Sequence, residues 1–341
     1  MMRRWCTALP RSAPSTPPPA PASMNAPQHP SASPRPVAVI TGASQGIGRF
    51  TALGIAESGF QVTVVARSVA RGRETVADLA EARGCTVGDG PFDWVAADLS
   101  REHEIEEAAR ELLDRHPRIN LLVNNAGLVA RKYGSTPEGL ERTLVVNHLA
   151  PVRLTHALLP ALLAAGAAGS PSRTGTSGGA RIVILSSGAH AKRLDLTAFE
   201  GPRGYSGLHA YAQSKLLNLL HAFDLARVLA GTGVTVNAVH PGLVGTGLLD
   251  SFLPEGLVRR ALSPVFRLVS KSPEEGARTS IHVATSPEVA GITGRYFVKG
   301  VPADPAPAAL DPENQQGVRR WTEGLTGIDW GQTPEPEDLP A

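Results

Sequence analysis

Residues 37–48 read VAVITGASQGIG, an apolar and β-branched run followed by a turn that contains Gly42, Gly46 and Gly48. Short runs of this kind are typical of a strand that is buried on both faces of a parallel sheet. A helical pattern follows at residues 47–58. A glycine turn between a strand and a helix lets the main chain approach a pyrophosphate, which the helix N-terminus attracts. We therefore predict that a dinucleotide binds at Gly42, Ser44, Gln45, Gly46, Ile47 and Gly48.

The same alternation of strand and helix continues along the chain. It predicts strands at residues 37–41, 62–65, 94–97, 121–123, 182–185, 234–239 and 295–298. Helices are predicted at residues 47–58, 70–82, 102–115, 138–147, 151–165, 208–229, 257–269 and 273–284. Such alternation favours a parallel sheet with helices on both faces. We predict an α/β fold, a single doubly wound Rossmann-type domain with a seven-stranded parallel sheet.

The N-terminal segment has a different composition. Ten of the 29 prolines lie in residues 10–36, and residues 1–36 contain no acidic residue. Proline lacks an N–H donor and fixes φ, so this segment is predicted to be disordered. The domain organisation that we predict is a Pro-rich segment at residues 1–36, a catalytic domain at residues 37–300 and a C-terminal extension with a short helix at residues 301–341.

Composition excludes several classes of protein. The 33 basic and 31 acidic residues give a net charge of +2, which does not indicate a nucleic-acid partner. The two cysteines, Cys6 and Cys85, fit no disulfide or metal pattern, and the histidines have no zinc-site spacing. The chain contains no long uncharged apolar stretch, so we expect no integral membrane span and a cytoplasmic location.

The residue after the second strand indicates which dinucleotide binds. An acidic residue near this position accepts from the ribose 2′-hydroxyl of NAD, whereas an arginine suits the 2′-phosphate of NADP. Arg67 follows the strand, and residues 62–73 contain no Asp or Glu. A solvated surface arginine is the alternative, but the absence of an acid favours NADP(H) as the cofactor.

A second chemical feature is the pair Tyr211 and Lys215. The spacing of four residues places both on one face of the long helix at residues 208–229. Ser186 and Ser187 follow the strand at residues 182–185 and are predicted at the carboxyl edge of the sheet, where ligands of open α/β sheets bind. Successive strand residues point to opposite faces, so only one of these serines can face the ligand.

Together these motifs resemble the short-chain dehydrogenase/reductase superfamily, over about residues 37–298. The matching residues are the turn at residues 41–48, Asp98-Leu99, residues 124–127 (Asn-Asn-Ala-Gly), Asn147, Ser186-Ser187, residues 211–215 (Tyr-Ala-Gln-Ser-Lys) and Pro241-Gly242. Within the superfamily, the chain is most similar to the retinol dehydrogenase and WW-domain oxidoreductase branch. The similar features are the long gap from serine to tyrosine and the stretches at residues 146–149 (Val-Asn-His-Leu), 186–190 (Ser-Ser-Gly-Ala-His) and 294–297 (Gly-Arg-Tyr-Phe). The resemblance implies hydride transfer between NADP(H) and an alcohol or carbonyl group. It also implies pairing into a homodimer or homotetramer.

The resemblance implies a role for each motif residue. Tyr211 would be the acid/base, and Lys215 would lower the pKa of its phenol and bind the nicotinamide ribose. Ser187 would donate to the substrate oxygen, and Asn147 would hold a water in a proton relay to Lys215. The remaining cofactor contacts would come from Asp98, Leu99, Asn125, Ala126, Gly127, Pro241, Gly242, Val244 and Thr246.

Each of these positions also has a structural interpretation. Asn147 could cross-link a helix, Asp98 could cap one, Ser187 could bind only main chain, and Thr246 could be a turn residue. The chain as a whole could be a non-catalytic dinucleotide-binding sensor or scaffold, because fold does not fix function. Such a protein has no need of Ser187, Tyr211 and Lys215 together, so an enzyme is favoured. The substrate is expected to be lipophilic, because a lid could be formed by Leu243, Leu248, Leu249, Phe252 and Leu253. The alternative is that these residues belong to the core of a helix.

Overall fold

The computed structural model describes residues 35–168, 179–242 and 272–330. Eight strands are present in these ranges: β1 Val37–Thr41, β2 Gln61–Ala66, β3 Phe92–Ala96, β4 Leu121–Asn124, β5 Ala180–Leu185, β6 Val234–His240, β7 Arg295–Val298 and β8 Val301–Ala303. The first seven coincide, within a few residues, with the seven strands predicted from apolar runs.

The helices of the described ranges cover both faces of the sheet. They are α1 Gly46–Glu57, α2 Val69–Arg83, α3 Glu102–Arg115, α4 Arg142–Leu144, α5 Ala150–Ala167, α6 Gly207–Val228, α7 Pro273–Thr285, α8 Pro307–Leu310 and α9 Pro312–Thr326. The helix predicted at residues 257–269 lies outside the described residues, as do most of residues 1–36. After residue 300 the chain forms a strand and two helices, which is more structure than the single short helix predicted there.

The strands form one sheet in the order β3-β2-β1-β4-β5-β6-β7-β8. Strands β1 to β7 are parallel, which confirms the doubly wound Rossmann-type α/β fold. The prediction of seven strands is wrong by one, because β8 pairs antiparallel with β7. The two strands are joined by Lys299 and Gly300, both with positive φ, the geometry of a two-residue hairpin turn. Pro302 lies within β8, and an edge strand can accept a proline.

The order of the strands determines where a ligand can bind. The chain leaves β1 toward β2 on one side of the sheet and later returns to β4 on the other side of β1. Helices connected to these neighbouring strands diverge, which opens a crevice at their carboxyl ends. Thr41 ends β1 and Asn124 ends β4, so both lie at this crevice.

The core lies on both faces of the sheet, because alternate strand residues point to opposite sides. Val39, Leu122 and Ile182 pack against the layer that contains α3, α5 and α6. Their neighbours Ile40, Val123 and Val183 pack in the second layer, with residues of α1 and α7. All six side chains are fully buried. The long apolar strand runs are thus explained by burial on both sides.

The helix predicted at residues 138–147 begins later, at Arg142. Gly139 adopts a positive φ, and Glu141 caps α4 by accepting at Oε2 from the N–H of Leu144 at 2.7 Å. A π-helical turn, Val145–Leu149, then joins α4 to α5. Pro151 lacks the N–H that an α-helix would direct at the carbonyl of Asn147. The α-helical hydrogen-bond pattern is therefore interrupted at Asn147, a predicted site residue.

The stretch Arg142–Ala167 is, among the described residues, the one helical stretch that is long and apolar enough to cross a membrane. Of its most apolar window, 72% is buried inside the protein. Leu154, Leu158 and Leu162 of α5 are among these buried residues and pack in the core beside the sheet. Its hydropathy therefore matches its position as a core helix.

Candidate active site

The glycine turn between β1 and α1 is braced by the strand next to it. The amide Nδ2 of Asn125 donates to the carbonyl oxygens of Thr41 at 2.9 Å and Gly42 at 3.0 Å. In return, Thr41 Oγ1 accepts from the N–H groups of Asn125 at 3.1 Å and Ala126 at 3.0 Å. The amide nitrogen of Asn125 is therefore used to hold the turn.

The turn has no space for side chains at two of its glycines. Gly42 has a φ of 70°, and a β-carbon there would lie 2.8 Å from Cα of Ala126. A β-carbon on Gly48 would lie 2.2 Å from the carbonyl oxygen of Gly42. Both distances are shorter than a van der Waals contact, so only glycine keeps this turn closed against β4 and α1.

The N-terminus of α1 emerges from this turn. Gln45 is the N-cap residue, and its side chain makes no capping hydrogen bond. The first turn of α1 carries no acidic residue. Ser44 and Ile47 are half-buried beside it, and Gln45 is exposed. The free N–H groups and the positive end of the helix dipole suit a phosphate here.

Arg67 and Asp98 lie at the carboxyl ends of the neighbouring strands. Arg67 directly follows β2 and is exposed. Asp98 Oδ1 accepts from the N–H and the hydroxyl of Ser100 at 2.9 and 2.7 Å, so this carboxylate shapes the turn before α3. The N-cap of α3 is Arg101, not Asp98. Leu99 is half-buried against the core.

The two serines after β5 have different surroundings, as the alternation of strand residues requires. Ser186 is buried and donates from Oγ to the main-chain carbonyl of Lys215 at 2.8 Å. Ser187 is hydrogen-bonded to the side chain of Tyr211, and its Oγ also accepts from the N–H of Ala189 at 3.1 Å. Ser187 is therefore the serine that faces the tyrosine.

Tyr211 and Lys215 are both buried on α6. Burial raises the pKa of the Tyr211 phenol, and the hydrogen bond from Ser187 partly opposes this rise. Burial lowers the pKa of Lys215 to about 8. Lys215 Nζ lies 5.7 Å from the centre of the Tyr211 ring and donates to the carbonyl of Leu185 at 3.0 Å. A cation at this distance favours the phenolate form of Tyr211.

Asn147 lies beside Lys215, and its side chain forms three hydrogen bonds. Its Oδ1 accepts from the N–H of Leu128 at 2.8 Å, and Nδ2 donates to the carbonyl of Leu128 at 2.9 Å and to Ser214 Oγ at 3.0 Å. A β-carbon on Gly127 would lie 3.4 Å from Lys215 Nζ and 3.5 Å from Asn147 Oδ1. The Asn147 amide thus joins the loop at Leu128 to helix α6 at Ser214, next to Lys215.

The segment after β6 is tied to the end of β5. His240 Nδ1 accepts from the N–H of Gly188 at 2.9 Å and from that of Gly242 at 3.3 Å. Pro241 and Gly242 are therefore held near Ser187, and Gly242 has a φ of 93°. Val244, Thr246 and the predicted lid residues lie outside the described residues.

The structure thus brings together Ser187, Tyr211, Lys215 and Asn147 at the crevice that the glycine turn and Pro241-Gly242 line. Sequence reasoning missed several residues that hold this arrangement: Thr41, His148, His190, Ser214, Asn218 and Thr322. Each of them forms at least one hydrogen bond to a residue more than 30 positions away in the chain, and such contacts leave no spacing pattern in the sequence. Within the described ranges no cluster of His, Cys, Asp and Glu could hold a metal ion.

Residues 36–255 match the family model for the short chain dehydrogenases. The chain belongs to this family. It is 38% identical over 303 residues to the polyprenol dehydrogenase of Mus musculus, covering 87% of this chain and 85% of that protein. It is 35% identical over 302 residues to retinol dehydrogenase 14 of Mus musculus, covering 85% of each. The dehydrogenase/reductase SDR family member 13 of Bos taurus is 36% identical over 304 residues, covering 88% of this chain and 76% of that protein.

Solved structures show the same fold. The 3-ketoacyl-(acyl-carrier-protein) reductase of Brucella melitensis, complexed with NADH, has a TM-score of 0.57 and 26% identity over 78% of this chain and 98% of its own. An NAD(P)-dependent gluconate 5-dehydrogenase of Beutenbergia cavernae with bound NADP has a TM-score of 0.59 and 27% identity over 78% and 96%. With the retinol dehydrogenases, they identify this chain as an oxidoreductase of the retinol dehydrogenase-like branch. It acts on alcohol or carbonyl groups with a nicotinamide dinucleotide.

Proposed function

We propose that this chain transfers a hydride between NADP(H) and a lipophilic alcohol or carbonyl compound. The observation that carries the proposal is the convergence of Ser187, Tyr211 and Lys215, which are distant in sequence, at one crevice. A sensor or scaffold that only bound a dinucleotide would have no use for a buried phenol next to a buried ammonium.

The residues around the glycine turn fit a dinucleotide. Gly42 and Gly48 keep the main chain close and free of side chains, and the N-terminus of α1 offers N–H groups that no side chain caps. These are the features with which a pyrophosphate is bound in Rossmann folds. When bound, the nicotinamide supplies or accepts the hydride.

The preference for NADP(H) is supported by Arg67. Its guanidinium is exposed at the carboxyl end of β2 and forms no ion pair within the described ranges, whereas Arg71 is paired with Glu74 at 2.7 Å. Arg67 can therefore form charge-assisted hydrogen bonds with a 2′-phosphate. One of the two solved relatives binds NADH and the other binds NADP, so they do not distinguish between the two cofactors. The proposal therefore rests on Arg67.

In the proposed mechanism Tyr211 moves the proton at the substrate oxygen. In reduction its phenol donates the proton, and in oxidation its phenolate accepts one. Ser187 donates a second hydrogen bond to the same oxygen and stabilises the charge that develops there. Lys215, as an ammonium, lowers the energy of the phenolate and opposes the effect of burial on the pKa of Tyr211.

Proton exchange with solvent is proposed to pass by Lys215 and Asn147. The side-chain amide of Asn147 already forms three hydrogen bonds, with Leu128 and Ser214, which leaves one lone pair of Oδ1. Its main-chain carbonyl lacks the usual α-helical donor, because residue 151 is proline. We propose that this carbonyl, rather than the amide, is the atom at Asn147 that accepts from the relay water.

A lipophilic substrate is supported by the relatives and by the sequence. Two of the similar proteins carry the names polyprenol dehydrogenase and retinol dehydrogenase 14, which refer to apolar alcohols. Residues 243–253 include Leu248, Leu249, Phe252 and Leu253, which follow Gly242 in the chain. This apolar composition is in keeping with a lipophilic substrate, since ligand sites are lined mainly by apolar side chains.

The experiment that tests the proposal is Tyr211→Phe, which removes only the phenol oxygen. We expect NADPH binding, followed by fluorescence titration, to be retained, and turnover of a panel of long-chain alcohols, aldehydes and ketones to fall at least about 100-fold. Wild-type protein with a higher kcat/KM for NADH than for NADPH would contradict the cofactor preference. Full turnover by the variant would contradict the mechanism.

Two sequence predictions stay proposals. A cytoplasmic location is tested by fractionation of cells that express the full chain, and recovery in the membrane pellet would contradict it. Pairing into a homodimer or homotetramer is tested by analytical ultracentrifugation, in which a single species with the mass of one chain, 35.7 kDa, would contradict it.

A further inference from the structure

The main-chain carbonyl of Leu185 accepts two hydrogen bonds from α6. Lys215 Nζ donates to it at 3.0 Å, and Asn218 Nδ2 donates to it at 3.0 Å. The two residues are three positions apart on one face of the helix. Both are buried, and Leu185 is the last residue of β5, immediately before the two serines. Asn218 thus shares with Lys215 a single acceptor next to the site.

The orientation of Asn218 is fixed from the C-terminal helix α9. Its Oδ1 lies 3.4 Å from His148 Nδ1, and His148 Nε2 lies 3.1 Å from Thr322 Oγ1. An amide oxygen only accepts, so Nδ1 of His148 carries the proton, and Nε2 accepts from the hydroxyl of Thr322. Burial lowers the pKa of His148 to about 3, which keeps this neutral ring in place.

We propose that Asn218 is a positioning residue for Lys215. His148 and Thr322 fix its orientation, so helix α9, outside the Rossmann core, supports the position of the catalytic lysine. The inference rests on the proposed function, because it concerns the lysine that this function requires.

The physical reason is that two donors share one oxygen. When one carbonyl oxygen accepts two hydrogen bonds, the two positive donors repel each other and share its negative partial charge, so each bond weakens the other. With Asn218 in place, the hydrogen bond from the Lys215 ammonium to the Leu185 carbonyl is weaker. The ammonium can then stabilise the phenolate of Tyr211. Without Asn218, the carbonyl would bind Lys215 alone and more strongly, and the ammonium would be drawn away from the phenol.

The other ionisable groups near the network are few among the described residues. Tyr211 lies on α6 itself, one turn before Lys215. His221, also on α6, packs edge-on against His148 with 6.0 Å between the ring centres, and burial lowers its pKa to about 4. Asp224 is paired with Arg319 of α9 and with Arg227. Both histidines stay neutral between pH 5 and 10, so Tyr211 and Lys215 are the groups whose titration the network can change in this range.

The first test replaces Asn218 by Leu, which keeps the volume and removes the amide. The pH profile of kcat/KM in alcohol oxidation reports the ionisation of Tyr211, and we expect its acidic limb to move to higher pH by about one unit. Asn237→Leu is the matched control. Asn237 is equally buried and also donates to a carbonyl, that of Ile292 at 2.7 Å, away from the site. This control should lower stability without moving the limb.

The second test changes Thr322, at the far end of the network. It uses a milder substitution, which serves if Asn218→Leu does not fold. Thr322→Val removes the hydroxyl at constant shape, and Thr322→Ser retains it. We expect the limb to shift in the same direction with Val, by less than with Asn218→Leu, and to stay at the wild-type pH with Ser. A limb unmoved by Thr322→Val, or moved equally by Thr322→Ser, would overturn the inference.

A third measurement separates this inference from the proposed function. The pKa of Tyr211 can be followed by NMR of ring-labelled tyrosine, with the signal assigned by its loss in Tyr211→Phe, and this needs no turnover. A higher pKa in folded Asn218→Leu, with Asn237→Leu unchanged, supports the inference even if no substrate reacts. An unchanged pKa in that variant refutes it even if the wild-type enzyme is active.

Discussion

Ser186 and Lys215 are joined by a buried hydrogen bond of 2.8 Å, from the serine hydroxyl to the main-chain carbonyl of the lysine. This bond fixes the end of β5 against α6 at the level of the site. The next residue, Ser187, is turned to the other side of the strand and contacts Tyr211. The two adjacent serines therefore have different surroundings, and we assign them different tasks: Ser186 holds helix to sheet, and Ser187 has the proposed role in chemistry.

Replacement of each serine by alanine should separate these tasks. We expect Ser187→Ala to lower kcat by about 100-fold with little loss of stability, because a donor to the reacting oxygen is removed. Ser186→Ala should lower the free energy of unfolding by about 1 kcal/mol, since one buried hydrogen bond is lost. Turnover kinetics and urea unfolding of both variants measure the difference. Equal kinetic effects would contradict the assignment of Ser187.

Arg67→Ala should reduce discrimination between the two dinucleotides. We expect the KM for NADPH to rise about tenfold, because a charge-assisted hydrogen bond to the 2′-phosphate is lost, and the KM for NADH to stay nearly unchanged. Arg83→Ala, in the last turn of α2, is the control for the loss of one exposed positive charge. A similar rise for both dinucleotides, or for the control, would argue against a phosphate contact at Arg67.

Gly48→Ala tests the closeness of the glycine turn. The added β-carbon would meet the carbonyl of Gly42 at 2.2 Å, so the turn must open, and we expect the affinity for NADPH to fall at least about tenfold. Gly317→Ala is a matched change within helix α9, where nothing lies within 4 Å of the new atom. This control should stabilise the protein by up to about 1 kcal/mol and leave binding intact. Unimpaired binding by Gly48→Ala would show that the turn does not contact the dinucleotide.

Lys215 should make stability depend on alkaline pH. Its pKa is lowered to about 8 in the folded chain, from 10.5, so the unfolded chain binds more protons between these values. Stability then rises as pH increases from 8 toward 10.5, by up to about 3 kcal/mol from this residue. Lys215→Met should lack the rise. Urea unfolding of both proteins at pH 8 and pH 10 measures it, and parallel curves would refute it.

The buried histidines should make the fold sensitive to acid. The pKa values of His148 and His221 are lowered to about 3 and about 4, from 6.5, so both are neutral when folded and charged when unfolded in mild acid. Their contribution is complete above pH 6.5 and is lost as pH falls toward 4, by up to about 3 kcal/mol for each residue. His148→Gln should lower stability at pH 7 and flatten its decline between pH 6.5 and 4. An equally steep decline in this variant would refute the prediction.

The sequence predicted the seven parallel strands because each is a short run of mainly apolar residues, and burial on both faces favours such runs. Strand β8 left no such signal, since it has three residues, one of them Pro302, at the edge of the sheet. The strand follows the Lys299-Gly300 turn, in which Lys299 adopts a positive φ although it is not glycine. The late start of α4 followed from the positive φ of Gly139 and from the local cap that Glu141 provides to Leu144, neither of which a helical apolar pattern reports.

Of the candidate site, sequence patterns yielded the residues that face the ligand and missed those that hold them. Tyr211 and Lys215 share a helical spacing, so their proximity could be predicted. Asn218, His148 and Thr322 are joined across up to 174 residues of chain, and no local pattern reports such contacts. The amide of Asn147 has the structural use that was the alternative to a water-holding role. Asp98 likewise shapes a turn through Ser100.

The bracing of the glycine turn by Asn125 has a consequence for how a dinucleotide is captured. Because the loop is already clamped in its final shape by the neighbouring strand, little main-chain entropy remains to be lost on association. The loop is then preorganised for the dinucleotide. The affinity would depend mainly on the hydrogen bonds to the phosphates and on the water that they release on binding.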